Sequence, residues 1–285
     1  MFVVAPSSPF DPRDLDRGLA WLRERYDVTV GGAVLSRSGY LAGSDADRAR
    51  DLALAMSDPA TRAIVAARGG YGAMRIVDAL PWDAWAARPS WLVGFSDITA
   101  LHVEAQRRGI ASIHGPHVTG LGRDEQGAVR AAWRDALEAP AGPRTWSSLR
   151  VLHSGAAGTV AGPIVGGNLA LVSAMAAAGR VAMPRGCVLA LEDVTERPYR
   201  IDRMLTSLRL AGVLSEASAI VLGDFDKCEP GPDGALLDDV LLERTAGLGI
   251  PVLAGAPFGH AERNDAFVLG APVTVSAGMV RFGAA

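Results

Sequence analysis

Residues 91–102 read Trp91-Leu92-Val93-Gly94-Phe95-Ser96-Asp97-Ile98-Thr99-Ala100-Leu101-His102. The apolar start is typical of a strand buried on both faces of a parallel sheet, and the residues after Ser96 are typical of a helix. Ser96 is therefore predicted to lie on the strand-to-helix turn, at the sheet edge where open α/β folds bind ligands. A hydroxyl there can act as a nucleophile, and the N–H of Asp97 could stabilise an oxyanion. The alternative is that Ser96 or Asp97 only caps the helix, because Ile98 occupies the second glycine position of a GxSxG motif.

The same alternation of apolar runs and helical patterns extends from the start of the chain to about residue 140. Further runs typical of strands are residues 2–5, 28–34, 64–67 and 110–113. Asp11 before Pro12, and Ser44 with Asp47 three residues later, predict the N-termini of two helices. The alternation predicts a mostly parallel sheet with helices on both faces.

A second domain is predicted from a change in composition. Residues 139–162 are rich in Pro, Gly and Ser, which suits an interdomain linker, so we expect domains at 1–150 and 151–285. The second half combines helical patterns at 200–210 and 236–245 with short strand-like runs at 267–269, 273–276 and 279–282. This mixture predicts an α/β fold for that domain as well.

Composition excludes several classes of protein. The 285 residues are 49 % apolar and 21 % charged, which is ordinary for a globular chain. A net charge of −3 without a basic run argues against nucleic acid or an anionic membrane surface as a partner. Cys187 and Cys228 lack CxxC spacing, so neither a disulfide framework nor a zinc site is indicated. With no stretch suited to a secretory signal or a membrane span, we expect a cytoplasmic protein.

A glycine-rich segment follows the strand predicted at 64–67, and it reads Ala67-Arg68-Gly69-Gly70-Tyr71-Gly72. Three glycines in four residues permit positive φ and a close approach of the backbone to a ligand. The N–H of Gly70 could be a second oxyanion donor, since this loop and Ser96 leave the same sheet edge. The alternative is a simple tight turn with an exposed Arg68.

A serine nucleophile needs a base, and the chain has five histidines. His102 lies on the same predicted helix as the serine and points elsewhere. His114 and His117 flank a Gly-Pro pair that breaks any helix, and they lack further ligands, so a metal site is disfavoured, although His114 could line the pocket. His153 falls in the predicted linker. His260 follows a short strand and sits in a polar loop, where functional groups are often placed.

Beside the serine and its histidine base, such a site needs a third residue, a carboxylate that orients the imidazole. Residues 188–193 are a buried-type strand that ends in Glu192 and Asp193. Because successive strand residues point to opposite faces, these two cannot both serve the same site unless the strand has already ended. The same geometry disfavours a glycosidase, which needs two facing carboxyl groups. The alternative role for Glu192 is a salt bridge with Arg197, Arg200 or Arg203.

Several motifs together resemble the LD-carboxypeptidase family of serine peptidases, which includes the microcin C immunity peptidases. These motifs are residues 67–72, 94–102, 114–116, 166–169, 191–193 with 198–203, and 259–260. The resemblance covers nearly the whole chain in the right order. It implies an N-terminal flavodoxin-like parallel sheet with helices on both faces, a smaller mixed α/β swivelling C-terminal domain, and a homodimer.

The resemblance also implies roles for single residues. It implies a catalytic triad of Ser96, Glu192 and His260, and an oxyanion hole formed by the N–H groups of Gly70 and Asp97. The mechanism that the resemblance implies requires no metal and no cofactor. The candidates for substrate binding are Arg68, Tyr71, His114 and Asn168. An exopeptidase must hold a free carboxylate, for which Arg68, Arg200 and Arg203 are the cationic candidates, each with a structural alternative.

The activity implied is that of a cytoplasmic L,D-carboxypeptidase that removes the terminal D-Ala from murein tetrapeptides during peptidoglycan recycling. Its partner would be a small peptide. One alternative is a microcin C immunity-type peptidase that cleaves an aminoacyl-nucleotide; aromatic residues that stack on a base would favour it, but Trp82, Trp85 and Trp91 are as easily core residues. An alternative of another class is a non-catalytic small-molecule binding protein.

Overall fold

The fold is taken from a computed structural model, which describes residues 1–124 and 126–283. The chain divides into two units. The first comprises Met1–Glu138 with Asp265–Phe267, and the second comprises Ala139–Asn264 with the described residues from Val268 onward. Of the helices in these described ranges, none has the length and apolar composition that a membrane crossing requires.

The strands of the described chain are β1 (Phe2–Val4), β2 (Thr29–Val30), β3 (Ala63–Ala66), β4 (Trp91–Gly94), β5 (Ser112–His114), β6 (Arg144–Trp146), β7 (Arg150–His153), β8 (Val160–Asn168), β9 (Cys187–Val194), β10 (Ala217–Asp226), β11 (Val252–Ala254), β12 (Phe267–Leu269), β13 (Pro272–Ser276) and β14 (Met279–Phe282). The α-helices are α1 (Pro12–Arg23), α2 (Asp45–Ser57), α3 (Trp82–Ala87), α4 (Thr99–Gln106), α5 (Val118–Arg123), α6 (Ala128–Glu138), α7 (Leu169–Ala177), α8 (Pro198–Leu210) and α9 (Leu237–Thr245). Short 3-10 helices are Ala73–Ala79, Ser96–Ile98 and Leu214–Glu216.

The first unit is built on a sheet with the strand order β12-β5-β4-β3-β1-β2. The pairs β1 with β2, β1 with β3, β3 with β4, and β4 with β5 are all parallel. Every residue of β3 is buried. Since successive strand residues point to opposite faces, both faces of the sheet are covered there. The predicted parallel sheet is confirmed.

Two predicted caps begin helices of the first unit. The Asp11 carboxylate accepts a hydrogen bond from the Arg13 N–H at 3.0 Å, and α1 follows with Pro12 as its first residue. The Ser44 hydroxyl oxygen accepts from the Asp47 N–H at 3.1 Å and donates to the Asp47 carboxylate at 2.7 Å. These bonds satisfy N–H groups that the first helical turn leaves without partners.

The second unit has a mixed sheet with the order β6-β14-β13-β8-β9-β10-β11-β7. Its centre is parallel, from β8 through β9 and β10 to β11, and antiparallel strands extend it on both sides. Helices α7 and α8 pack on this centre through Leu169, Val172 and Leu205, which are almost fully buried. This confirms a mixed α/β fold for the second half of the chain.

Two expectations about the domains differ from the structure. Residues 139–162 are not a linker, because β6 pairs with β14, β7 pairs with β11, and β8 begins at Val160. The Pro and Gly clusters there mark the turns between these short strands, and the units therefore divide after Glu138 rather than after residue 150. Within the described residues, the sheet of the second unit has eight strands and that of the first unit has six.

Candidate active site

Ser96 lies on a tight turn between β4 and α4. Its φ of 58° is in the left-handed region, which is uncommon for a residue other than glycine and marks a strained backbone. The turn also needs glycine at position 94, because a Cβ there would lie 2.8 Å from Cγ1 of Ile98. A strained strand-to-helix turn is the geometry that exposes the nucleophile in α/β serine hydrolases. Helix α4 begins at an N-cap, Ile98, with no side-chain capping bond, so the capping alternative for Ser96 is not observed.

The glycine loop, residues 69–73, lies directly against this turn. A Cβ on Gly69 would be 3.0 Å from Cβ of Ser96 and 2.9 Å from Cε1 of His117. Gly70 has a φ of +104°, which L side chains rarely adopt. The two predicted oxyanion elements, the Gly70 loop and the turn that carries Asp97, are therefore neighbours within the first unit.

His117 supports the turn, a role that the sequence did not reveal. Its ring stacks on Phe95 with 4.5 Å between ring centroids, and its Nε2 lies 3.0 Å from the Phe95 carbonyl oxygen and 3.3 Å from the Phe95 nitrogen. The ring is buried. The only signal in the sequence was its place beside Pro116, after a strand that ends at the same sheet edge. No metal-binding cluster of three or more His, Cys, Asp or Glu occurs in the described ranges.

Glu192 and His260 form a pair in the second unit. Glu192 stands near the end of β9 and is fully buried, and its Oε2 lies 2.7 Å from Nδ1 of His260. Gly259 directly precedes His260. Its φ is +132°, and a Cβ there would come within 3.3 Å of the Glu192 Cβ. Glycine thus lets the histidine loop approach the strand closely.

The expected alternative for Glu192, a salt bridge with a nearby arginine, is not observed. Arg197 donates instead to the carbonyl oxygens of Glu229 and Pro230, at 3.3 and 2.8 Å. Arg200 pairs with Glu196 at 3.3 Å. Arg203 lies over the ring of Tyr199.

Charge around His260 favours its protonated form. Burial alone would lower the pKa of His260, but the hydrogen bond that its Nδ1–H donates to Glu192 and the charges of Glu192, Asp193 and Asp226 raise it above its ordinary value. Burial raises the pKa of Asp224, the half-buried neighbour of this pair, to about 6. A histidine held against a carboxylate in this way can accept a proton at Nε2 and is stabilised as a cation.

Glu192 and Asp193 take different partners, as their opposite directions on the strand require. The Asp193 carboxylate accepts from the Asn168 side-chain amide at 3.1 Å and from the Ala170 N–H at 2.9 Å. Asn168 also caps α7 by accepting from the Leu171 N–H. Burial raises the pKa of Asp193 to about 6. Asn168, a candidate for substrate binding, is thus 3 % exposed and engaged at the start of α7.

The other candidates lie in the first unit. The Arg68 guanidinium donates to the Pro9 carbonyl oxygen. Tyr71 is 49 % exposed, and its ring centroid is 5.8 Å from that of Tyr40. His114 is fully buried and stacks on Phe267 with 5.0 Å between centroids.

His102 is engaged at both ring nitrogens by contacts within the first unit. Its Nδ1 lies 2.8 Å from the Ser112 hydroxyl and its Nε2 lies 2.9 Å from the Gly94 carbonyl oxygen. Complete burial lowers its pKa to about 4, so that it is neutral at pH 7. With both nitrogens engaged, His102 joins α4 to β4 and β5.

A serine with a left-handed φ between a parallel strand and a helix, in a chain that also holds a buried Glu–His pair, is an arrangement expected of an α/β serine hydrolase. Comparison with known proteins narrows this class. A family model described as the LD-carboxypeptidase N-terminal domain matches residues 1–115, and one described as the LD-carboxypeptidase C-terminal domain matches residues 161–275. The chain belongs to the LD-carboxypeptidase family and is a serine-type carboxypeptidase.

Two relatives match along nearly their whole length. A putative carboxypeptidase of Streptomyces coelicolor is 42 % identical over 287 residues, covering 96 % of this chain and 89 % of the relative. The murein tetrapeptide carboxypeptidase of Pseudomonas aeruginosa is 32 % identical over 288 residues, covering 98 % of this chain and 94 % of the relative.

Solved structures have the same fold. The muramoyltetrapeptide carboxypeptidase from Oxalobacter formigenes superposes with a TM-score of 0.87 at 28 % identity, covering 100 % of this chain and 99 % of that one. The structure of MccF in complex with glutamyl sulfamoyl guanosine superposes with a TM-score of 0.86 at 20 % identity, covering 100 % and 95 %. At 20 % identity the second likeness shows the fold alone.

Proposed function

We propose that this chain is an L,D-carboxypeptidase that releases the terminal D-Ala from murein tetrapeptides, with Ser96 as nucleophile and the Glu192–His260 pair as its base. The observation that carries the proposal is the left-handed Ser96 on the turn between β4 and α4. The substrate is inferred from the murein tetrapeptide carboxypeptidase to which the chain is 32 % identical over almost its whole length.

In the proposed reaction, His260 Nε2 takes the proton of the Ser96 hydroxyl as its oxygen attacks the carbonyl carbon before D-Ala. The N–H groups of Gly70 and Asp97 stabilise the oxyanion that forms. The tetrahedral intermediate collapses to an acyl-enzyme, and D-Ala leaves with the proton that His260 returns to its nitrogen. Water then attacks the acyl carbon with the same base, and the tripeptide leaves.

Glu192 has an orienting role in this proposal. Its Oε2, 2.7 Å from Nδ1, holds the His260 tautomer whose proton is on Nδ1, which leaves Nε2 free to accept. Its charge also stabilises the imidazolium that forms in each step. The reaction as written uses neither a metal nor a cofactor.

Substrate contacts remain proposals. Arg68 and Tyr71 lie on or beside the glycine loop and are exposed, so both can reach a bound peptide. A direct contact with His114 or Asn168 would require the substrate to reach a covered side chain. The Arg68 guanidinium is our candidate for the free C-terminal carboxylate of the substrate.

The test is mass spectrometry of L-Ala-D-Glu-diaminopimelate-D-Ala incubated with the protein. We expect loss of one terminal D-Ala with the wild type and no loss with Ser96→Ala. Ser148→Ala is the matched control, because Ser148 also has a left-handed φ, of 60°, but belongs to the second unit. It should leave turnover unchanged.

A processed microcin C analogue serves as the second substrate in the same assay. Cleavage of the aminoacyl-nucleotide bond alone would replace the murein assignment with the immunity-type activity. Turnover of neither compound would leave the non-catalytic binding protein as the interpretation.

The cytoplasmic setting, the role in peptidoglycan recycling and the homodimer are also proposals, and they rest on the family resemblance. The dimer is tested by light scattering on the purified chain. A mass near 29.7 kDa would contradict it, and twice that mass would support it.

A further inference from the structure

Backbone atoms of four residues of the glycine loop are held by hydrogen bonds from outside it. The Gly69 carbonyl oxygen accepts from the Ser8 N–H at 3.1 Å, and the Tyr71 N–H donates to the Ser8 hydroxyl oxygen at 3.1 Å. The Gly72 carbonyl oxygen accepts from the Arg48 guanidinium at 2.9 Å. The Ala73 N–H donates to Oδ2 of Asp97 at 2.8 Å. None of these bonds uses the Gly70 N–H.

Asp97 connects this loop to the nucleophile turn. Its side chain is 1 % exposed, and the same oxygen, Oδ2, also accepts from the Ser7 hydroxyl at 2.6 Å. Asp97 follows Ser96 directly in the chain, so its carboxylate ties the serine to the loop and to the segment after β1. Burying a carboxylate costs free energy unless its oxygens accept hydrogen bonds. The two bonds to Oδ2 are therefore favoured, and they hold the donor groups in fixed positions.

Arg48 supplies a compensating charge under the same loop. Its side chain is fully buried, and besides Gly72 it donates to the Pro6 carbonyl oxygen and to Asp45. Burial raises the pKa of Asp97, while its bonds to Ser7 and Ala73 and the charge of Arg48 act in the opposite direction. Arg48 and Asp97 therefore hold neighbouring atoms of the loop, Gly72 O and Ala73 N.

We propose that the Asp97 carboxylate is a positioning residue that fixes residues 69–73 against Ser96, so that the Gly70 N–H stays open and aimed at the oxyanion. The tolerance is small, since a single added carbon on Gly69 would come within 3.0 Å of Cβ of Ser96. The catalytic consequence rests on the proposed function, but the fixing of the loop does not.

Two substitutions of Asp97 distinguish the effect of its charge from the effect of its hydrogen bonds. Asp97→Ala removes the acceptor of both donors, and we expect kcat for the tetrapeptide to fall about 100-fold, which is typical for loss of one oxyanion donor. kcat should fall by a larger factor than KM rises, because the Gly70 N–H acts on the transition state, whereas the loop's candidate substrate contact is the exposed side chain of Tyr71. Asp97→Asn keeps an acceptor oxygen and the side-chain shape, so it should fold and should show a smaller loss of kcat.

Asp51→Ala is the matched control. Asp51 is a carboxylate of the same unit, 4 % exposed, whose Oδ2 accepts from the Ala33 N–H at 2.7 Å, away from the glycine loop. It should lower the stability of the unit while leaving kcat per folded molecule unchanged.

The second readout is hydrogen exchange of the full-length protein, followed in a peptide that covers residues 69–73. We expect faster exchange in both Asp97 variants and wild-type exchange in Asp51→Ala. Unchanged exchange in Asp97→Ala, or a loss of kcat no larger than that of Asp51→Ala, would overturn the proposal. If the wild type does not cleave the tetrapeptide, the proposed function fails, and the exchange result alone decides whether Asp97 fixes the loop.

Discussion

Glu192 and Asp193 are adjacent residues with separate tasks, and the alternation of a strand was enough to predict that the two could not both serve the same site while the strand continued. Glu192 contacts His260, whereas Asp193 contacts Asn168 and the start of α7. The sequence could not reveal the supports of the glycine loop. Ser8 and Arg48 are distant in sequence from the atoms they hold, and only the fold brings them together.

At this scale, the pH dependence of kcat/KM tests the Glu192–His260 pair. A base must be neutral, so activity should rise with pH through a pKa that lies above the ordinary histidine value of about 6.5. Glu192→Gln removes the carboxylate in contact with His260, while burial and the charges of Asp193 and Asp226 remain; this should move the midpoint to lower pH and reduce the plateau by at least ~100-fold. A midpoint that stays in place, or that rises, would contradict this account of the pair.

The glycine at position 69 provides a second test. Gly69→Ala places a Cβ 3.0 Å from that of Ser96 and 2.9 Å from the His117 ring, so one of them must shift. We expect kcat to fall roughly 10-fold or more, since small displacements of reacting groups are costly. Gly32→Ala is the control, because a Cβ there has no atom within 4 Å among the described residues. Equal kinetics for the two variants would show that the loop can move without consequence.

At the scale of helices and strands, the sequence predicted the features that depend on neighbouring residues. The caps at Asp11 and Ser44 and the strand that becomes β4 are set by neighbouring residues, and the structure confirms them. Strands β6 and β7 were missed because each is short and pairs with a strand more than ninety residues away in the chain. Turn residues around such strands resemble those of a linker.

His102 joins α4 to the ends of β4 and β5, and its neutral state makes the first unit sensitive to acid. Its pKa is about 4 in the fold and about 6.5 when unfolded, so the unfolded chain binds more protons between these values. The stabilisation is present above pH 6.5 and is lost as the pH falls toward 4, by about 3 kcal/mol at most.

Urea unfolding of the first unit measures this effect when it is followed by exchange of its peptides. The difference in unfolding free energy between the wild type and His102→Gln should shrink between pH 6.5 and pH 4. A difference independent of pH would mean that His102 binds a proton in the fold as readily as in the unfolded chain.

At the scale of the whole molecule, the chain does not split once between two consecutive domains. Asp265–Phe267 return to the first unit, and residues after them complete the sheet of the second. The closing strand β14 pairs with β13 on one side and with β6 on the other. The change in composition along the sequence predicts one boundary and gives no signal that a later segment returns to the first unit.

Phe282→Ala tests whether β6 and β14 belong to one cooperative sheet. Phe282 is 6 % exposed and meets the Trp146 ring edge-on at 4.7 Å, so its truncation should cost the second unit about 3 kcal/mol. Hydrogen exchange should rise in residues 144–146 and 272–276 but not in β1 to β4. Arg281→Ala, at the exposed neighbouring position, should have little effect. An equal rise in both units would contradict the division at Glu138.

In the proposed mechanism, Ser96 is a nucleophile that His260 activates. The most direct measurement is labelling with a fluorophosphonate, followed by peptide mass spectrometry of the wild type and of His260→Ala. We expect one phosphonyl adduct on Ser96 in the wild type, and labelling at least ~100-fold slower in His260→Ala. An adduct on another serine, or equal rates in the two proteins, would contradict it.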